Sequence, residues 1–138
     1  MVEKIILEES YVKVSYILEK KLVLVVWNGN VTTEQYQNAF NSVLNHQEAS
    51  NEPVCNFLSD TRNQGMINPE NRKWFETYCI PRAIKLGMKR GAVIYDGSVF
   101  KKYYLNIILL STNKFKIPFK FFLSFEEAFA WFDSFGDC

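Results

Sequence analysis

The chain has 138 residues, 48% of them hydrophobic and 22% charged, a size and balance that suit one folded domain and exclude a disordered segment. Its 16 Lys and Arg against 15 Asp and Glu leave a net charge of +1, so no overall field draws it to nucleic acid. His46 is the only histidine and Cys55, Cys79 and Cys138 show no CxxC spacing, which excludes a structural zinc site.

An odd set of thiols fits a reducing compartment, with Cys55 and Cys79 read as small buried hydrophobes. The opening MVEKIILEES has neither the cationic head nor the apolar stretch of a signal peptide. The longest apolar run, Leu22 to Trp27, falls far short of the ~20 residues a membrane span needs. The expectation is a cytoplasmic protein that is not an integral membrane protein.

In chain order, residues 5–7 form a short candidate strand. Val12, Val14, Tyr16 and Leu18 then alternate with Lys13, Ser15 and Glu19, the period of a half-buried strand. Leu22 to Trp27 is a continuous β-branched-rich run, as in a strand covered on both faces. Only Glu19, Lys20 and Lys21 separate the two, so they form a hairpin. Thr32-Thr33-Glu34-Gln35 has the form of a capping box. Tyr36, Phe40, Val43 and Leu44 follow at helical spacing, which predicts a helix over 33–47 with His46 solvated or facing the dipole near its end. Residues 54–59 predict a buried strand ending at Asp60, followed by a polar loop over 61–67.

Asn68-Pro69 is a helix start, with Asn as cap and Pro at the first helical position. Trp74, Phe75 and Tyr78 supply the stripe of this helix. Pro81 predicts a kink or break, and Gly87 ends the segment. Residues 92–95 read as a strand. Residues 99–112 read as a helix that is apolar nearly all round and therefore covered on two sides. Residues 118–123 read as an edge strand because they open with Pro118. Ser124-Phe125-Glu126-Glu127 caps a last helix with a stripe of Phe125, Ala128, Phe129 and Phe132. A hairpin followed by alternating strands and helices predicts a single-domain α/β fold, with a mixed sheet and about four helices. Right-handed crossovers place 59–62 and 95–98 on one edge, where open α/β sheets bind ligands.

Several elements together carry a family resemblance: Trp27-Asn28-Gly29, the Thr-Thr-Glu helix start, Phe57-Leu58-Ser59-Asp60-Thr61-Arg62, Asn68-Pro69-Glu70 with Trp74, Pro81-Arg82-Ala83 and Gly87-Met88-Lys89-Arg90. In order and spacing they resemble the small bacterial STAS-like proteins with the SpoIIAA-like fold, over roughly residues 10–135. The resemblance implies that fold and a regulatory role through protein contacts. In the anti-sigma-factor antagonists of the STAS branch, a Ser directly after an Asp at a central strand end is phosphorylated and switches binding. Asp60-Thr61 stands in that place, which makes Thr61 the candidate phosphosite. The Ser-Ser-Gly that opens the next helix in that branch is absent here.

Asp60, Thr61 and Arg62 are the leading candidate contacts, either for a ligand or partner or as a loop cap with its ion partner. Residues 81–120 hold nine basic groups and one acidic, against net −3 before and −4 after. Arg82, Lys85, Lys89 and Arg90 either complement a helix dipole or form an anion site. Lys101, Tyr103 and Tyr104 belong to a helix that is plain core, a homodimer face or the wall of an apolar pocket. Lone His46 places no catalytic base near a nucleophile, and no phosphate-loop glycine pattern occurs. The reading is therefore a non-enzymatic, cofactor-free interaction module acting on an unidentified protein partner or on itself. The alternative is a binder of an apolar or amphipathic anion such as a lipid.

Overall fold

The computed structural model describes residues 2–136 and 138, apart from the side chains of Tyr104, Ser111 and Thr112. Strand β1 (Glu3–Glu9) pairs antiparallel with β2 (Val12–Ile17), and β2 with β3 (Leu22–Trp27). The β2–β3 connection is a tight turn over Leu18–Lys20, closed by Lys21 at φ 48°. From β3 onward every pairing is parallel: β4 (Asn56–Asp60), β5 (Arg90–Ile94) and the edge strand β6 (Phe119–Phe122). The six strands lie in chain order from β1 to β6. Parallel neighbours need crossovers, and each crossover here carries a helix. The expected α/β architecture is therefore the one the chain adopts: antiparallel strands first, parallel βα units after.

Helix α1 (Thr33–Ala49) starts on the predicted capping box, with the Thr32 hydroxyl accepting from the Gln35 amide and the Gln35 side chain accepting from the Thr32 amide. Its buried side chains, Tyr36, Ala39, Phe40, Val43 and Leu44, share a core with Val12, Val14, Tyr16, Val23, Val25 and Trp27. Phe40 contacts Trp27, Tyr36, Phe57 and Phe75 at ring separations of 4.9–5.8 Å, a packing that adds about 0.5–1.5 kcal/mol per pair beyond area burial. This core lies between the sheet and α1, the 69–85 helix and α4 (Val99–Lys114).

The opposite face is covered by one helix. In α5 (Phe125–Asp133), capped by Ser124, Ala128 and Phe132 bury against Ile17, Leu22, Leu24, Leu58, Ala92 and Ile94. Strand β2 is buried on both faces as a result: Ser15 and Ile17 are as enclosed as Val14 and Tyr16. The half-buried reading undercounted it because Lys13 and Ser15 mimic a solvent face.

Pro81 does not break its helix. Helix α2 (Pro69–Trp74) passes through one widened turn, Phe75–Cys79, into α3 (Ile80–Lys85), and the Ile80 amide donates five residues back to the Phe75 carbonyl. Such a turn before a proline relieves the clash between the ring and the carbonyl four residues back. Cys79 is buried within it, and burial pushes its thiol well up from the ordinary range.

Two further expectations are corrected. Cys55 is not a free buried thiol but is joined to Cys138 in a disulfide, with 6.2 Å between Cα atoms. Nothing in the spacing announced this, since 83 residues separate the pair. His46 is in the last turn of α1, as expected, but only half-exposed: its ring lies 5.4 Å from that of Tyr16, and its Nε2 is buried without a hydrogen-bond partner.

Candidate functional site

The carboxyl ends of β3, β4 and β5 deliver three loops to one edge of the sheet. The first two are stitched together by backbone: the Gly29 amide donates to the Asn63 carbonyl at 2.7 Å, and the Gly65 amide to the Gly29 carbonyl at 3.0 Å. Gly29 has φ +78°, a conformation that favours glycine, and the Asn30 side chain occupies the place a Cβ on Gly65 would take. The third loop forms its own turn. The Asp96 carboxylate accepts from the Ser98 amide, and Ser98 Oγ accepts from the Lys101 amide, capping α4 (Val99–Lys114). That amide bond, aided by Lys101, holds the Asp96 carboxyl below its ordinary range.

Asp60, Thr61 and Arg62 are together in sequence, but the pleat of β4 divides them. Asp60 is 5% exposed. Its Oδ1 accepts from the Arg62 amide and Nε, and its Oδ2 from the Arg62 guanidinium at 2.8 Å. This fork raises the Arg62 pKa further. The guanidinium lies 5.2 Å from the Phe125 ring at the start of α5, so the pair belongs to the α5 face. Thr61 turns to the other face, where it lines a small space with Gln64, Ile67, Leu105 and Ile108. Its hydroxyl donates to the Ile94 carbonyl at 2.9 Å, and only 7% of the residue is exposed.

Lys101 binds α4 to this edge. Its ammonium donates to the Thr61 carbonyl at 2.6 Å and the Arg62 carbonyl at 3.3 Å, and lies 3.5 Å from the Asp96 carboxylate. The polar groups of the edge are thus occupied by the chain's own backbone and by one another. An exception is Gln64, whose side-chain nitrogen is buried without a partner beside Thr61. Sequence reasoning passed over Gln64 as a loop residue, and no local pattern distinguishes it.

The remaining candidates separate. Arg82 sits at the opposite end of the parallel strands, bonded to Glu48 and Tyr78. Arg90 turns into the sheet, where it donates to Asn56 Oδ1 and stacks 4.4 Å from the Phe135 ring. The basic segment therefore does not converge on one anion site. Tyr103 is on the outer side of α4, and the side chain of Tyr104 lies outside the described residues.

Helix α4 was expected to be covered on two sides; among the described residues it is covered on one. Leu105 and Ile108 bury against the sheet, whereas Val99 (81%), Phe100 (76%), Tyr103 (65%) and Leu110 (68%) are exposed. Met66, exposed in the 61–67 loop, lines a small space with Lys101, Leu105 and Ile108. Large apolar side chains exposed together on one helix mark interaction surfaces. The apolar cavities beneath the helices measure only about 20 and 30 Å³, room for roughly one water molecule. A larger cleft of about 300 Å³ lies at the other end of the sheet and is mainly polar, with Glu19, Lys20, Lys21, Asn56 and Asp133 among its walls. Among the described residues no group of His, Cys, Asp and Glu is placed to hold a metal ion, and no helix is long and apolar enough to cross a membrane.

No protein-family model matches the chain, and no curated protein does. Among solved structures it is similar to an uncharacterised protein of the DUF3478 family with a SpoIIAA-like fold from Shewanella loihica, at 19% identity and a TM-score of 0.49, over 95% of this chain and 92% of that one.

Proposed function

We propose that the chain is a non-enzymatic regulatory module that acts by protein–protein contact, through the outer side of α4 and the adjoining 61–67 loop. The observation that carries this reading is the contrast within one edge. Asp60, Thr61, Arg62 and Lys101 are bonded to the chain itself, while Val99, Phe100 and Leu110 are exposed. A surface of that composition gains by desolvation against a partner. The alternative, a lipid-like anion held inside, needs a pocket of ~300 Å³ or more with apolar walls, and the apolar cavities are an order of magnitude smaller.

Thr61 enters this reading as a residue that a kinase reaches only when the 61–67 loop opens, because its hydroxyl is buried and donating. Opening would also release the Lys101 contacts and so alter the α4 surface.

A photo-cross-linking residue at Phe100, with the same residue at Glu19 as a control on the far edge, tests the proposal in the native cell. A protein adduct at position 100, absent at 19 and lost on Leu110→Glu, is the expected result. Equal labelling at both positions, or none at 100, overturns it.

A further inference from the structure

This inference rests on the protein-contact reading and names the partner's chemistry. The described exposed residues of α4 are Val99, Phe100, Lys102, Tyr103, Asn106, Leu110, Asn113 and Lys114, and Val99, Tyr103, Asn106, Leu110 and Asn113 among them form one line along the helix. Their spacings alternate between four and three, which is the seam of a helix that packs lengthwise on another helix. Phe100 and Ile107 adjoin the seam one residue on. Polar residues within such a seam fix register, which is the role open to Asn106 and Asn113.

The charge around this seam has one sign. From Gly97 to Phe125 the chain carries Lys101, Lys102, Lys114, Lys116 and Lys120 and no Asp or Glu. Lys101 is turned inward to Asp96 and the Thr61 carbonyl. Lys102, Lys114 and Lys116 are exposed on the helix and just beyond it, whereas Lys120 lies over the Phe122 ring on the α5 face of the sheet. We propose that α4 docks an amphipathic helix of another protein, with apolar side chains at four-three spacing in its seam and Asp or Glu along its flanks. A second copy of this chain fits the seam poorly on charge. Two copies face to face would bring Lys102 and Lys114 of each to a seam that offers no Asp or Glu between Gly97 and Phe125 to pair with them. An anionic bilayer would meet the lysines but has no use for Asn106 and Asn113 at seam positions.

The test uses the intact protein and three probes: a synthetic helix with Leu at four-three spacing and Glu on both flanks, its counterpart with Lys in place of Glu, and phosphatidylglycerol vesicles. The expected result is binding of the Glu helix that weakens with salt, with the Lys helix bound at least about tenfold more weakly. Leu110→Glu should abolish binding. Lys102→Glu with Lys114→Glu should reverse the preference toward the Lys helix, a gain that a misfolded variant cannot produce. Equal binding of both helices overturns the acidic-partner inference while leaving the protein-contact reading intact. Sedimentation showing a dimer that Leu110→Glu dissociates also overturns it, in favour of a second copy. Vesicle binding alone, or no binding to any probe, overturns both.

Discussion

The Lys101 ammonium donates to the carbonyl oxygen of Thr61 across 2.6 Å, forty residues apart in the chain. One side chain thereby fixes where α4 starts relative to the end of β4, and the exposed seam takes its position from that anchor. Lys101→Met keeps the stem and removes the charge. It should destabilise the protein by about 1.5–3 kcal/mol, since the charge-assisted bonds to the Thr61 and Arg62 carbonyls are lost. Urea unfolding reads the change as a lower midpoint at unchanged slope. A variant as stable as the parent would show that the anchor carries no weight.

Thr61 offers a second measurement. Thr61→Val removes the bond to the Ile94 carbonyl and should cost about 1 kcal/mol. Thr61→Asp, the usual imitation of phosphothreonine, places a carboxylate where 7% of the residue is exposed and should cost several times more, or raise the pKa of the new acid. If Thr61→Asp unfolds at the same urea concentration as the parent, the loop opens far more easily than its bonding indicates.

His46 sets a pH dependence. Burial lowers its pKa from 6.5, with Glu52 opposing and Lys4 reinforcing the shift. Unfolded His46 therefore binds a proton at a pH where the folded one does not. In that window stability rises with pH, so this contribution is present above about pH 6.5 and is lost as pH falls. Thermal unfolding between pH 7.5 and 5.5 should show a falling Tm that His46→Gln flattens. An unchanged slope in the variant would assign the effect elsewhere.

The disulfide predicts a thiol inventory. Under native, non-reducing conditions no thiol should react with a thiol-specific reagent, because Cys79 is buried with its pKa raised and the other two are joined. Unfolding without reductant should expose Cys79 alone. Cys138→Ser should lower stability by about 4 kcal/mol in the chain-entropy account of a loop this long. Finding three titratable thiols in protein isolated from its native cell would place it in the reducing compartment that its odd cysteine count suggests.

Those elements whose signals are local were legible in the sequence. The Thr32 and Asn68 caps sit where their side chains dictate, and the apolar run Leu22–Trp27 is the central strand. What was not legible depends on distant partners. Nothing near Cys55 points to Cys138. Nothing near Pro81 reveals that the turn before it widens. Asp60, Thr61 and Arg62 read as one cluster, yet the strand pleat sends Asp60 toward α5 and Thr61 toward α4. The apolar content of α4 was plain, but whether its second side is covered depends on what else the fold places there, which periodicity does not encode.

The unequal covering of the sheet has a bearing on synthesis. A chain leaves the ribosome from its amino end, and the helices on the first face are all made before residue 115. Ile17, Leu22, Leu24 and Leu58 can pair within the sheet by then, yet their outer side faces water until residues 125–133 arrive. A released chain that ends between β6 and α5 would display a finished sheet with one greasy side, a target for chaperones and proteases rather than a slightly shortened protein.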